Sequence, residues 1–247
     1  MRVGLFFDFD GVLAPITENP LDVSVPSIMM NTIRSMQREY TIAVISGRDC
    51  PFLYNRIPGL NGYACIFGLE IHGGGYTVLD DEAYFSDKPR IISELAFRIE
   101  KIIGDRGGLI LGRTLTGVPI GMSVYWYLDK GKPVELDELI EEAKKSKLVV
   151  NPISRWGNVA EFIEIHVSKR TKGESLRILK TLLGVDKVVY FGDSYRDIPA
   201  FNEADIRVLV KHEYNSSLSN VNVDYVVNQA ELPQWLKVKL EEAHGQL

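Results

Sequence analysis

The strongest constraint on the fold is a set of short, uninterrupted apolar runs: VGLFF (3–7), TIAVIS (41–46), KVVYFGD (187–193), IRVLV (206–210) and DYVV (224–227). None alternates apolar with polar, so each suits a strand buried on both faces rather than one. Helical patterns lie between them: SIMMNTIRSMQR (27–38) after Pro26, and GESLRILKTLLG (173–184). Buried strands separated by helices imply right-handed βαβ units and an α/β fold, an open, doubly wound parallel sheet. YACIFGLEI (63–71) reads as a further strand that runs into the glycine-rich turn HGGG and then YTVL.

The middle of the chain follows another rule. PRIISELAFRIEKII (89–103) is an amphipathic helix, GLILGRTL and GMSVYWYL are strands, VELDELIEEAKK is a helix, and KLVV and EFIEIHV are strands again. Short links between neighbouring strands favour antiparallel pairing. Residues 87–168 are therefore expected to form a smaller α+β domain inserted into a sheet domain made of 1–86 and 169–247. The stretch 213–224 is expected to be a surface loop with a short helical turn.

Composition removes several function classes. Of 247 residues, 28 are basic and 33 acidic, a net charge of -5. Nucleic acid and anionic membranes both need concentrated positive charge, so neither is an expected partner. No apolar stretch approaches the ~18 residues of a membrane span, and the N-terminus has no signal-peptide pattern. A cytoplasmic protein, and a monomer, is the default expectation. Cys50 and Cys65 are too few for a disulfide framework and lack zinc-ligand spacing. His72, His166, His212 and His244 are scattered, and each alone reads as a surface or core residue.

Three of the strands end on polar clusters: Asp8 and Asp10, then Ser46-Gly47-Arg48-Asp49, then Gly192-Asp193 onward. Open α/β sheets bind ligands beyond the carboxyl ends of their strands. Each cluster also has a local explanation. Asp10-Gly11 is a hairpin signal, although Pro15 weakens it. Ser46 could cap a following helix. Thr171 and Glu174 in TKGES make a capping box, which leaves Lys172 unexplained at a helix start where the dipole disfavours a cation. Lys172 makes better sense if it points at something anionic. Ser46, with backbone N–H groups, could hold a phosphate oxygen. Jointly, Asp8, Asp10, Asp193 and Asp197 would meet in one crevice. Like charges at about 4 Å repel by about 4 kcal/mol at an effective dielectric near 20, so such a group needs a lysine and a divalent cation. Oxygen-only ligands point to Mg²⁺.

The ordered set DFDGV, SGR, TKG and GDSYRD resembles the four motifs of haloacid-dehalogenase-type phosphatases, whose core is Rossmann-like. The insertion resembles the α+β cap of their sugar-phosphatase branch. DFDGVLAPITENPLDVSVP, IAVISGRD, FGLEIHG and DIPAF are similar, more narrowly, to trehalose-6-phosphate phosphatases, with Val12, Ser194 and Arg196 departing from the usual pattern. The resemblance implies that Asp8 attacks phosphorus and that Asp10 serves as acid and then base. It implies that Ser46, Gly47 and Lys172 bind phosphate. Mg²⁺ is expected on Asp8, the Asp10 carbonyl, Asp193 and Asp197, the last directly or through water. Candidate sugar contacts are Arg48, Glu70 and His72 in the core, with Arg113, Tyr125, Trp126 and Glu164 in the cap. For the aromatics, strand packing is the competing explanation. The implied reaction is hydrolysis of a small sugar phosphate, foremost trehalose 6-phosphate. Mannosyl-phosphoglycerate or sucrose phosphate are the next substrates, a phosphomannomutase is a more remote reading, and a sugar-phosphate-binding regulator is the non-enzymatic one.

Overall fold

Strand β1 (Val3–Phe7) is buried along its whole length, as a strand with neighbours on both faces must be. It belongs to a computed structural model that describes residues 1–17, 19–216, 218 and 221–238. His244 and parts of the 213–224 loop lie outside the described residues. After β1 come α1 (Ser27–Met36), β2 (Thr41–Ile45), α2 (Cys50–Arg56), β3 (Gly62–Cys65), β4 (Glu70–Gly73) and β5 (Tyr76–Leu79). The middle holds α3 (Lys88–Ile103), β6 (Gly107–Arg113), β7 (Pro119–Tyr127), α4 (Leu136–Lys145), β8 (Val149–Val150), β9 (Ser154–Trp156) and β10 (Ala160–His166). The chain continues through α5 (Lys172–Leu183), β11 (Lys187–Gly192), α6 (Ile198–Phe201), β12 (Ile206–Lys211), β13 (Tyr225–Asn228) and α7 (Leu232–Val238).

Two compact units result: Met1–Arg48, Phe52–Val78 and Arg170–Leu247 form one, and Asp49–Pro51 with Leu79–Lys169 the other. The first is built on an eight-stranded sheet in the order β13-β12-β11-β1-β2-β3-β4-β5. From β13 to β3 all neighbours are parallel, which gives the expected doubly wound α/β core. The chain leaves β1 towards β2 and returns on its other side as β11. The topological switch, where such sheets bind ligands, therefore lies between β1 and β11. On one sheet face Phe6, Ile45 and Tyr190 pack with Leu176, Leu179 and Phe201 of α5 and α6. Phe7 stacks on Phe191 (4.4 Å between ring centroids), and Trp235 of α7 meets Phe191 edge-on at 5.8 Å.

The run 63–71 is not one strand. It folds back on itself, with Cys65 opposite Glu70 in the antiparallel β3–β4 pair. The corner consists of Ile66, Phe67 and Gly68 at φ 46°, 56° and 95°. Left-handed backbone costs an L-residue about 1–2 kcal/mol, so Ile66 and Phe67 hold it only because they are tied down. Their N–H groups donate to the carbonyls of Arg48 and Ser46 (both 2.9 Å), and Ser175 Oγ donates to the Phe67 carbonyl at 2.7 Å. An apolar run shows no sign of such a corner. Cys50 and Cys65 are too few for a framework, yet neither is a free thiol.

The second unit has an antiparallel sheet, β6-β7-β10-β8, with β9 also paired to β10. Helix α3 buries Ile92, Leu95, Ala96, Ile99 and Ile103, a stripe at helical spacing that packs on β6 and β7. Helix α4 has acids in its first turn and lysines in its last, matching its dipole, and packs against α3. No described helix is long and apolar enough to cross a membrane.

Candidate active site

The site begins where β1 stops. The Asp8 N–H donates to the Phe191 carbonyl at 2.8 Å, which extends the β1–β11 ladder by one residue and fixes Asp8 at the sheet edge. Its Oδ1 accepts from the Phe9 N–H (2.7 Å) and its Oδ2 from Lys172 Nζ (2.5 Å). Beyond it the chain makes a tight loop, not a β-hairpin. Leu13 and Ala14 N–H donate to the Phe9 carbonyl, and Gly11 N–H donates to that of Ala14. Gly11 has φ 78°, and a Cβ there would overlap Asp193 Oδ2 and come within 3.0 Å of His212 Nε2.

Lys172 opens α5, whose start is set by the reciprocal Thr171–Glu174 capping box. The side chain is 3 % exposed and reaches Asp197 Oδ1 at 2.7 Å as well as Asp8. These two carboxylates outweigh both burial and the unfavourable helix dipole, and hold the ammonium charged to higher pH than usual.

Asp197 is wholly buried and saturated with donors. Oδ1 accepts from Lys172 and from Tyr190 OH (2.6 Å). Oδ2 accepts from the N–H of Asp193 (3.1 Å), the N–H of Ser194 (3.0 Å) and Ser194 Oγ (2.8 Å). A carboxylate offers about four lone-pair positions, and five donors use them. Asp197 is thus placed to fix Lys172 and the 193–194 backbone. The donors that crowd it hold its pKa below the ordinary value despite burial.

Asp193 follows β11 and faces the same space. Its Oδ2 contacts His212 Nε2 at 2.9 Å, and its carbonyl accepts from Asn215 Nδ2 at 2.8 Å. Carboxylate oxygens of Asp8, Asp193 and Asp197 lie within 4.8 Å of one another. Burial, with Asp197 adding repulsion, pushes the Asp193 carboxyl up to about 8. Burial likewise raises Asp8 well above its usual range, and Lys172 only partly offsets this. An all-oxygen group with more negative charge than one lysine can balance suits a hard divalent cation. Asp8, Asp193 and the Asp10 carbonyl are the candidate direct ligands.

Asp10 and Arg48 form a two-pronged pair: Nε to Oδ2 at 2.8 Å and Nη2 to Oδ1 at 2.9 Å. The guanidinium lies over the Phe52 ring at 4.7 Å. Ser46 is buried and does not cap α2, which starts four residues later. Its Oγ accepts from the Arg48 N–H at 3.1 Å, and its own N–H donates to Ala64. Gly47 lies between them, with Phe67 where its side chain would be. Glu70 is buried at the carboxyl end of β3. His72 lies two residues along β4, with Nε2 3.0 Å from Glu70 Oε1 and Nδ1 3.0 Å from Thr77 Oγ1. Asp8, Asp10, Ser46, Gly47, Arg48, Lys172, Asp193 and Asp197 therefore gather at the carboxyl ends of β1, β2 and β11, with Glu70 and His72 on the flanking hairpin. Tyr190, His212 and Asn215 also belong to this network and carry no motif of their own.

The remaining candidates belong to the second unit. Trp126 is 1 % exposed, and its Nε1 donates to Glu161 Oε2 at 3.2 Å directly across the β7–β10 pair. It packs the interior of this unit and offers no ring face to a sugar, which corrects the expectation for that residue. Tyr125 and Tyr127 lie on the opposite sheet face, edge to face at 5.9 Å. Glu164 shares that face and is buried, accepting from Asn151 Nδ2 at 3.3 Å. Arg113 is exposed at the end of β6, and its Nη1 donates to the Gly117 carbonyl at 3.1 Å.

No protein-family model matches the chain. It is similar to the probable trehalose-phosphate phosphatase J of Arabidopsis thaliana, with 24% identity over 214 residues that make up 81% of this chain and 56% of the relative. The chain spans about half the length of the curated relatives it matches. Among solved structures, a trehalose-6-phosphate phosphatase related protein superposes with a TM-score of 0.71 at 20% identity, covering 99% of this chain and 100% of that one. A HAD subclass IIB sugar phosphatase gives 0.55 at 16%, over 96% and 98%. The fold is that of haloacid-dehalogenase-type phosphatases with an inserted α+β unit, as the motif resemblance implied.

Proposed function

We propose that this protein hydrolyses a sugar phosphate monoester with Mg²⁺, through a phosphoryl group carried transiently on Asp8. One observation carries this reading. Asp8 stands at the β1–β11 switch point with Lys172 at 2.5 Å, Asp193 and Asp197 beside it, and Asp10 two residues on. Bound Mg²⁺ would offset the repulsion between the Asp8 carboxylate and a dianionic phosphate.

Asp8 Oδ attacks phosphorus and the P–O bond to the sugar breaks, so that its barrier is split between two displacements. Lys172 holds the equatorial phosphate oxygens together with Ser46 and the N–H groups around Gly47, where transition-state charge accumulates. Asp10 gives its proton to the leaving sugar oxygen and then takes one from the attacking water, help typically worth about 10²–10⁴-fold. Both Asp10 oxygens accept from Arg48 in the free protein. Asp10 can serve the leaving group only after Arg48 transfers its donors, and the natural recipient is the substrate's phosphate or a sugar hydroxyl. Glu70, His72, Arg113, Tyr125 and Glu164 are the proposed sugar contacts.

Trehalose 6-phosphate is the proposed substrate, supported by the names of the relatives and by the motif resemblance. Comparing kcat/KM for trehalose 6-phosphate, sucrose phosphate and mannosyl-phosphoglycerate tests it. A clear preference for trehalose 6-phosphate is expected, and a preference for either other ester reassigns the sugar. Mg²⁺-dependent turnover of p-nitrophenyl phosphate, lost in Asp8→Asn, tests the chemistry. Full activity in Asp8→Asn would refute it, and tight sugar-phosphate binding without turnover in the unmodified protein would point to a regulator.

A further inference from the structure

His212 is the first residue after β12 and sits beside the switch point, yet no motif claims it. Its side chain is 10 % exposed, and Nε2 lies 2.9 Å from Asp193 Oδ2. The Tyr214 N–H donates to Nδ1 at 3.3 Å. Nδ1 is therefore an acceptor, and in the neutral ring the proton sits on Nε2 and is donated to Asp193.

The ring is itself held. The His212 N–H donates to Asn215 Oδ1 at 2.9 Å, and Asn215 Nδ2 donates to the carbonyls of Asp193 (2.8 Å) and Val210 (2.8 Å). Lys211 Nζ closes the turn by donating to the carbonyls of Asn215 (3.0 Å) and Leu218 (2.6 Å). One short segment thus grips Asp193 by its side chain through His212 and by its backbone through Asn215. Gly11 leaves the room for this contact, since a Cβ there would intrude on both partners.

We infer that His212 is a positioning residue for the cation site. By fixing Asp193 Oδ2 as an acceptor, it turns Oδ1 towards the space shared with Asp8. A carboxylate that must ligate a cation is oriented by what bonds its other oxygen, and removing such a partner typically costs about 10–100-fold in metal affinity. This inference rests on reading Asp193 as a cation ligand.

Mn²⁺ is the probe, its binding to the full chain followed by electron paramagnetic resonance without substrate. His212→Phe keeps the ring but removes the donor, and should weaken Mn²⁺ binding by about 10–100-fold. His212→Gln, whose amide reaches about as far, should restore most of the affinity. His212→Asn is too short to reach Asp193 and serves if the Phe variant does not fold. It should bind as weakly as His212→Phe. At saturating metal the KM for the phosphate ester should match that of the unmodified protein, which a general collapse of the site would not allow. Unchanged Mn²⁺ affinity in folded His212→Phe or His212→Asn overturns the inference, as does a Gln variant no better than Phe. An unmodified protein that binds no Mn²⁺ overturns instead the reading of Asp193 on which it rests.

Discussion

Replacing Asp197 by asparagine removes the charge that five donors share. Whichever way the amide is turned, its NH₂ must face either the Lys172–Tyr190 pair or the N–H and Oγ–H groups of Asp193 and Ser194. The hydroxyls of Tyr190 and Ser194 can turn to accept, but either the Lys172 ammonium or two backbone N–H groups then meet a donor. Hydrogen bonds to a charged group are worth about 1.5–3 kcal/mol each, and breaking one side of a buried ion pair costs about 3–5 kcal/mol. The expected destabilisation is therefore about 3–5 kcal/mol. For a chain of this size that is a fall in Tm of roughly 6–20 °C. Asp8→Asn is the matched control. Asp8 is buried too and touches the same lysine, but burial raises its pKa where the donors around Asp197 lower that of Asp197. A carboxyl whose pKa is raised by folding gains no stability from its charge, and Lys172 keeps Asp197, so Asp8→Asn should cost much less than Asp197→Asn, about 1 kcal/mol or below. Urea and thermal unfolding of both variants with chelator present would measure the difference. Equal effects, or an Asp197→Asn cost below about 1 kcal/mol, would refute the assignment of Asp197 as the hub that holds Lys172 and the 193–194 backbone.

Other outcomes follow from the same geometry. Asp193 holds its proton in the folded state up to about pH 8, against about 4 for an unfolded aspartate. Its stabilisation of the metal-free protein is then complete below about pH 4 and is lost as pH rises towards about 8. Saturating Mg²⁺ should displace that proton, so its effect on Tm should be larger at pH 8 than at pH 6 in differential scanning calorimetry. Arg48→Met removes two bonds to Asp10 and a donor for the substrate, and kcat/KM should fall by about 10²-fold or more. Arg48→Lys should recover little of this, because an ammonium cannot bridge both oxygens. Trp126→Phe should lower stability by about 1 kcal/mol through loss of the Glu161 bond and leave KM unchanged, whereas Tyr125→Ala should raise KM for the sugar phosphate.

The sheet was readable because β1, β2 and β11 are almost wholly apolar, which burial on both faces explains; β13 is an edge strand, and its Val226 is exposed. The hairpin at 63–71 was not, because its corner is made of Ile66 and Phe67, residues that no turn rule assigns to left-handed backbone. Helix α2 was foreseen only as a helix that Ser46 could cap and was not placed, since Pro51 and three aromatic or amide residues give CPFLYNR no clear helical stripe. In the site, Asp8, Asp10, Lys172, Asp193 and Asp197 could be found because each breaks a local pattern at a strand or helix end. Tyr190 could not, because a tyrosine inside VVYF looks like core until its hydroxyl meets Asp197. His212 and Asn215 lie in a polar stretch where nothing distinguishes a residue facing solvent from one facing Asp193. Ser194, which departs from the pattern the motifs resemble, finds its reason here: its hydroxyl donates to Asp197.

The central claim is that Asp8 carries the phosphoryl group. Borohydride reduces an acyl phosphate to the alcohol, converting a phosphorylated aspartate into homoserine. Turnover of trehalose 6-phosphate with Mg²⁺, quenched into borohydride and followed by peptide mass spectrometry, reads this directly. The expected result is homoserine at position 8, dependent on both substrate and Mg²⁺ and absent from Asp8→Asn. Homoserine at another aspartate, or steady turnover that leaves position 8 unmodified under conditions that trap a known acyl phosphate, would contradict it.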